Sequence, residues 1–404
     1  MQKIVNIITL LFSATLLITG DSYRYIPALL GVISLLALPF TFTVNIDKEI
    51  KKIMLAFLCF VSLTLVSLLL YGGKMSQADM PSRILLGIPA LFLLIKYPPK
   101  LDWLLTGVII GSYIAGAIAL YFFLVLHMRA FHGYDYFVIQ AGNIAMSLGI
   151  FSLLGSLYYL QLNKKAIALL ALAGAFLGVF ASVLSGARGG WIISPLVLLA
   201  ALYINRDLLS KKVQWVAMLL LIAIAVCSYP LIKKRVVAVE DDLQRYSKQQ
   251  ANSSSGVRLE LWKSGLYSLA DKPIFGQGYD GIKIAKKKQV AEGKVDSIIL
   301  NFARAHNNYL EEASIKGGLG LTALLAIFLL PLRYLYQNYR QSLTPEGRFI
   351  AQLGMAHIVL VMGYCLTQNY LNHHTGILQF IVYTVLLLAM SSAQQKKHNR
   401  SSDV

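Results

Sequence analysis

Ala166-Ile167-Ala168-Leu169-Leu170-Ala171-Leu172-Ala173-Gly174-Ala175-Phe176-Leu177-Gly178-Val179-Phe180-Ala181-Ser182-Val183-Leu184 carries no charge from end to end. An apolar run of about 18 or more residues is long enough to cross the hydrocarbon of a bilayer as a helix. Val213 to Ile232 is a second uncharged run of this kind. Outward from these two, twelve candidate spans can be placed, near residues 4–19, 26–45, 53–71, 83–95, 103–126, 142–161, 166–184, 190–204, 213–231, 307–332, 349–368 and 375–392. The fourth is short and contains Pro89. Composition agrees, with 57% of residues hydrophobic and 14% charged, against about 25% charged in soluble domains. The expected fold is an all-α polytopic membrane protein with about 12 transmembrane helices. The first span has the length of an export signal, but no small-residue cleavage site follows it, so it is read as retained.

The formal net charge of +18 raises the question of nucleic acid. Its distribution answers against it. With the N-terminus inside, the inward segments hold Lys3; Lys48, Lys51 and Lys52; Lys96 and Lys100; Lys164 and Lys165; Arg206, Lys211 and Lys212; Arg333, Arg340 and Arg348; and Lys396, Lys397 and Arg400. The short outward loops hold Arg24, Lys74, Arg83, Arg129 and Arg188. That asymmetry is the positive-inside rule, and it predicts both termini in the cytoplasm. The excess charge therefore reports topology in the membrane, with lipids rather than nucleic acid as the partner. Cys59, Cys227 and Cys365 all fall in apolar spans, which gives neither a disulfide framework nor metal-ligand spacing.

One connection is long. The chain divides into residues 1–232 with nine spans, a loop at 233–305 on the outward side, and residues 306–404 with three spans and an inward tail. A connection of this length is usually functional or disordered. Within it Val257, Leu259, Leu261, Trp262, Leu266 and Leu269 predict a short amphipathic helix. Asp271-Lys272-Pro273 ends it, and Gly276, Gly278 and Gly281 follow as turn residues. Its tryptophan and leucines suit a helix lying along the membrane surface. The basic stretch Lys283 to Lys294 reads as solvated. A smaller outward loop, His127 to Ala141, mixes Arg129 and His132 with aromatics. It suits either sugar and phosphate contact or a membrane-interface aromatic belt.

Few residues carry chemistry. Arg188 lies in Ser185-Gly186-Ala187-Arg188-Gly189-Gly190-Trp191 between two spans. Charge at a membrane boundary is often functional, though such an Arg also snorkels to head groups. Arg258 opens the loop helix and would be solvent-facing by default. Two converging guanidinium groups would clamp a diphosphate, each fork matching phosphate oxygens. His306 stands where the long loop meets an apolar span, and imidazole is the side chain suited to general-base work near neutral pH. His373 and His374 in the last outward turn are its rivals. Glu312 and Lys316 have the spacing of a helix ion pair. Glu240-Asp241-Asp242 reads as a solvated acidic run rather than a metal site. There is no P-loop, dinucleotide fingerprint or His-Glu-x-x-His.

His306-Asn307, nine residues, Gly317, two residues, Gly320 resembles the signature of bacterial O-antigen ligases. The Ser-Gly-Ala-Arg-Gly-Gly-Trp stretch resembles the arginine that follows the seventh span in that family. Arg258-x-x-x-Trp262, followed by Pro273 and Gly276-x-Gly278, resembles its loop helix. By motif the similarity runs from about Ala181 to Phe328, and by topology over the whole chain.

The resemblance implies a GT-C-type glycosyltransferase of the Gram-negative inner membrane. Such enzymes move O-antigen from undecaprenyl diphosphate to a sugar of lipid A-core on the periplasmic face. They invert configuration and use neither metal nor other cofactor. His306 would be the base, and Arg188 and Arg258 would hold the diphosphate, with Arg129, His132 and Asn307 as candidate substrate contacts. An O-antigen polymerase or a protein O-oligosaccharyltransferase would use the same chemistry on another acceptor. A transporter is the alternative from a different class, but transporters place their polar residues in repeated broken helices at mid-membrane.

Overall fold

The computed structural model describes residues 1–133, 136–206, 211 and 252–402, with the side chains of Arg188, Ser254 and residues 397–402 excepted. Every regular element among them is helical. In chain order these are α1 (Gln2–Thr15), α2 (Tyr25–Thr41), α3 (Lys48–Tyr71), α4 (Asp79–Ser82), α5 (Gly87–Lys96), α6 (Leu101–Leu124), α7 (Val138–Gln161), α8 (Lys165–Ser185), α9 (Arg188–Ile204), α10 (Ser254–Asp271), α11 (Gly281–Ala291), α12 (Asn308–Gln341), α13 (Pro345–Thr367) and α14 (His374–Ser402), with short 3-10 turns between some of them. Nine helical segments among the described residues are long and apolar enough to cross a membrane, while α1 and α9 are shorter apolar helices. Eleven of the twelve expected spans thus coincide with helices; the ninth, 213–231, lies outside the described residues. The expected fourth span is a chain of short pieces from Met75 to Lys96. It is an all-helical, multi-pass membrane fold.

Three helices form the middle. The apolar window of α14 is 94% buried, that of α7 83% and that of α13 78%, against 33% for the window covering α2. Lipid tails are as apolar as leucine, so close association inside a membrane depends on small residues that let backbones meet. At the crossing of α7 and α8, a Cβ on Gly178 would stand 2.7 Å from Gly149 Cα. At the crossing of α1 and α6, Gly107 and Gly111 lie against the carbonyls of Leu10 and Ser13. Some side-chain polar groups in the interior pair across helices: Tyr383 donates to Ser13 Oγ at 3.0 Å, and Ser147 and Tyr364 share a hydrogen bond of 3.0 Å.

Helix ends are set locally. Thr344 Oγ1 accepts from Gly347 N at 3.0 Å, with Pro345 opening α13. Gly186 ends α8 in the left-handed conformation, φ 63°. At the other face of the bundle Asp47 accepts from Tyr334 (3.1 Å) and Ser392 (2.7 Å), tying the start of α3 to α12 and α14.

The loop helix forms as expected and ends at Asp271; part of its apolar face is buried in the loop itself, while Leu266 is exposed. Val257 and Leu261 are buried against Val295 and Ile299, with Trp262 and Phe302 packed alongside. Its other face is polar and just as closed. Ser264 donates to Gln289 (2.6 Å), and Gln289 donates to Ser268 (2.9 Å). The expected solvated stretch Lys283 to Lys294 is largely α11, and its Lys286 is buried, donating to Phe302 O at 2.9 Å. Burial holds the Lys286 amine below its ordinary pKa. The loop therefore carries a small core of its own.

That core is stitched to α12 where α12 breaks. Gly317 has φ 65° and ψ −160°, a conformation essentially restricted to glycine. The groups freed there meet the turn after α10: Gly318 N donates to Pro273 O at 2.7 Å, Gln277 N to Ser314 O at 2.9 Å and Gly278 N to Ile315 O at 2.9 Å. A Cβ on Gly276 would strike the backbone of Ile315 and Gly317 at 2.5 Å. Below the break Glu312 and Lys316 pair as their spacing predicts, but fully buried. Lys316 also donates to Thr64 at 2.9 Å and lies 4.7 Å above the Phe60 ring.

Candidate active site

His306 sits at the entry to α12, half-buried, with φ 51°. The left-handed conformation costs a non-glycine residue about 1–2 kcal/mol, so the neighbours must enforce it. Ala305 is held from both sides: its N–H donates to Glu311 Oε2 at 2.8 Å, and its carbonyl accepts from Trp262 Nε1 at 3.1 Å. On the other flank Asn307 caps α12, its Oδ1 accepting from Tyr309 N (2.9 Å) and Leu310 N (3.1 Å). Asn307, a candidate substrate contact, thus spends its side-chain oxygen on the cap.

The imidazole meets Gln368 at the end of α13, with Nδ1 3.0 Å from Oε1. Phe302 stands edge-to-face with the ring at 6.3 Å. Nε2 makes no hydrogen bond among the described residues. The turn between α13 and α14 is fastened to this region twice, by Leu371 N donating to Asn308 Oδ1 (3.1 Å) and Arg304 donating to Asn372 O (2.6 Å). His373 in that turn packs against Phe137 at 5.3 Å. Burial, with a smaller push from Arg304, His306 and His374, lowers its pKa to about 4.

The two expected arginines approach from different elements. Arg258 lies four residues before Trp262 on α10, so both project from the same face, and Trp262 is the residue that touches Ala305. Arg188 is the first residue of α9; its side chain lies outside the described residues. The first turn of α9 packs on the end of α13, where a Cβ on Gly189 would strike Thr367 Oγ1, the neighbour of Gln368. Gly190 faces Asn143 Oδ1 of α7. Arg129 bonds through Nε to the Ser185 carbonyl and lies across Gly186, two residues before Arg188. His132 is exposed in its loop. The fold thus brings the backbones that carry Arg188, Arg129, Arg258 and His306 to one end of the bundle.

Several groups here carry no local signal in the sequence. Gln140, Asn143, Thr367 and Asn369 each carry buried polar side-chain atoms without a hydrogen-bond partner among the described residues. Asn143 and Thr367 border the first turn of α9, where backbone N–H groups have no helical acceptor. Glu311 and Gln368 were also missed as the groups that hold His306. The one clue was the polar run Gln368-Asn369-Tyr370-Leu371-Asn372-His373-His374 after an apolar span, from which only the histidines were singled out. Glu240-Asp241-Asp242 lies outside the described residues.

Two comparisons bear on this geometry. Residues 173–325 match the family model described as O-antigen ligase. That interval contains Arg188, Arg258, His306 and the Gly317–Gly320 break. Over 379 residues the chain is 32% identical to an uncharacterized protein of Haemophilus influenzae, covering 92% of this chain and 94% of that one. Similarity of that extent, together with the family match across the site, shows that the chain belongs to the O-antigen ligase family of the O-antigen ligase and polymerase superfamily.

Proposed function

We propose that this protein transfers O-antigen polysaccharide from undecaprenyl diphosphate to a sugar hydroxyl of lipid A-core on the periplasmic face of the inner membrane. In this reading the acceptor oxygen attacks the anomeric carbon of the donor. The bond from that carbon to the diphosphate oxygen breaks with its electron pair, and configuration inverts. His306 Nε2 takes the hydroxyl proton, and Arg188 and Arg258 hold the departing diphosphate. The donor supplies the driving force in its leaving group, so no ATP is required. Fixed cations aimed at charge that develops during reaction are the largest single kind of rate acceleration an enzyme can preorganise.

The holding of His306 is the observation that carries this. A strained backbone, clamped on both flanks, presents one engaged ring nitrogen and one open one. The start of α9 supports the anion site, because the first backbone N–H groups of a helix have no helical acceptor and favour a negative ligand. Residues 1–232 and 306–404 would form the membrane scaffold and residues 233–305 the periplasmic cover, with both termini cytoplasmic. Arg129 and His132 are candidate substrate contacts in this scheme.

The test is a lipopolysaccharide gel of cells lacking the gene, complemented with wild type or His306→Ala. Core without attached O-antigen, with polymer retained on the lipid carrier, is the expected phenotype of the null strain. Failure of His306→Ala to restore the ladder at normal protein level is expected. Core carrying a single repeat would identify a polymerase instead, and an unchanged ladder would reject both.

A further inference from the structure

We propose that Gln368 is a positioning residue for the transfer, its side-chain carbonyl keeping the His306 proton on Nδ1 and the lone pair on Nε2. This rests on His306 acting as the base. A neutral imidazole has one N–H and one lone pair, and the partner of one nitrogen decides the character of the other. Gln368 Oε1, 3.0 Å from Nδ1, can only accept. The proton therefore resides on Nδ1, and the basic lone pair on the nitrogen with no partner among the described residues.

Gln368 is itself built in. It is buried, extended at φ −151° as α13 ends, and its N–H donates to Tyr364 O at 3.1 Å. Thr367 before it lies against Gly189 of α9, and Leu371 after it is fastened to Asn308 beside His306. The same short segment thus touches the helix that begins at Arg188 and the imidazole. Displacement of one would be felt by the other.

An amide at this place has a chemical consequence that a carboxylate would not. It orients the ring without adding negative charge beside a site for a diphosphate. Charged or titratable residues on the elements packed around the ring include Arg304 on its own segment, Tyr370, His373 and His374 in and after the turn, Tyr309, Glu311, Glu312 and Lys316 on α12, Tyr364 on α13 and Arg258 and Glu260 on α10, with Arg188 opening α9 beyond Thr367. None of these takes the place of Gln368 as hydrogen-bond partner of Nδ1.

The experiment measures transfer by the purified full-length protein, with undecaprenyl-diphosphate-linked O-antigen and lipid A-core, across pH. Wild type, His306→Ala, Gln368→Leu and Gln368→Glu are compared. Gln368→Leu should lower kcat about 10- to 100-fold, by analogy with the loss of the orienting partners of metal-bound imidazoles, with donor KM little changed. Gln368→Glu also only accepts at Nδ1, so it should restore kcat to within a few-fold. Its charge should move the acid limb of the pH profile up by about one unit. Rescue by Gln368→Glu but not by Gln368→Leu separates an accepting partner from a residue that merely packs. Wild-type kcat in Gln368→Leu would overturn the proposal, as would a Gln368→Glu variant equally impaired with an unshifted limb. In both cases an inactive His306→Ala leaves the base assignment standing. An active His306→Ala removes the base assignment, and the proposal with it.

Discussion

His306 and His357 are the same side chain in opposite settings. His357 lies inside α13 and is wholly buried. Its Nε2 is 3.1 Å from Phe380 O and 3.3 Å from Thr384 Oγ1, and its ring is packed by Phe151, Phe380 and Tyr383. His306 stands at the junction of a loop and a helix, half-buried, in a left-handed conformation. One nitrogen is held by Gln368 and the other has no partner among the described residues. A histidine deep in a membrane bundle attracts attention because ionisable groups there are costly. Here the deeper one is closed off on every side, and the shallower one has an open edge. Partial exposure and one ring nitrogen left without a partner, rather than depth, mark the candidate for chemistry.

The contrast is broken most sharply by removing each ring in turn. His306→Gly should lower transfer about 100- to 10,000-fold, the usual range for a general base. It should also raise thermal stability slightly, because glycine adopts φ 51° without strain. His357→Leu should do the reverse, costing about 1 kcal/mol through loss of the buried hydrogen bond to the Phe380 carbonyl while kcat of the folded protein is kept. Thermal unfolding in detergent and the transfer rate, measured on both variants, would check this. Loss of activity in His357→Leu without loss of stability would erase the distinction.

The difference between the two histidines was only half legible in the sequence. Spans could be read because apolar length is a local property, and the described helices coincide with eleven of the twelve. His306 was legible because it sits in a local pattern with Asn307, Gly317 and Gly320. What holds it was not, since Gln368 lies 62 residues away and is chemically neutral. The loop helix shows the same limit. Its apolar face reads equally well as a membrane-surface face or a core face, and the residues that decide, Val295 and Ile299, come more than thirty positions later. Nor does the i,i+4 spacing of Glu312 and Lys316 say that the pair is buried, which follows from Thr64 and Phe60 on α3.

Glycines repeat the contrast at smaller amplitude. Gly149 and Gly178 let α7 and α8 touch within the bundle. Gly276 (φ 69°) and Gly317 (φ 65°) let the loop dock on the broken α12. Gly178→Ala adds a methyl to a close crossing and should cost about 1–3 kcal/mol, with kcat preserved in what folds. Gly317→Ala meets both a forbidden conformation, costing about 1–3 kcal/mol, and the Ile274 carbonyl. Undocking of the turn that follows α10 should loosen the clamp of Trp262 on Ala305 and lower transfer about tenfold. Limited proteolysis of the loop, faster in Gly317→Ala than in Gly178→Ala, would report the undocking. Equal cleavage in both would show that the stitch at the break does not hold the loop.

His373 gives the smallest and most specific effect. Its pKa falls from an ordinary 6.5 to about 4 through burial against the turn that carries Phe137. A base whose folded pKa is depressed is neutral in the native state while the unfolded chain still takes up a proton. Stability therefore rises with pH wherever the unfolded state binds more protons. For His373 that window runs from about 4 to 6.5. Above it both states are neutral and nothing changes; as pH falls through it, stability is lost, to a ceiling of about 3 kcal/mol. Thermal unfolding between pH 4 and 7 should show this slope in wild type and a flatter one in His373→Asn, with transfer at neutral pH little altered. An equal slope in the two would mean that His373 is solvated in the folded protein and that the turn between α13 and α14 is not packed on the loop before α7. The frame that holds Gln368 against His306 would then have to be sought in the contacts of α12 alone.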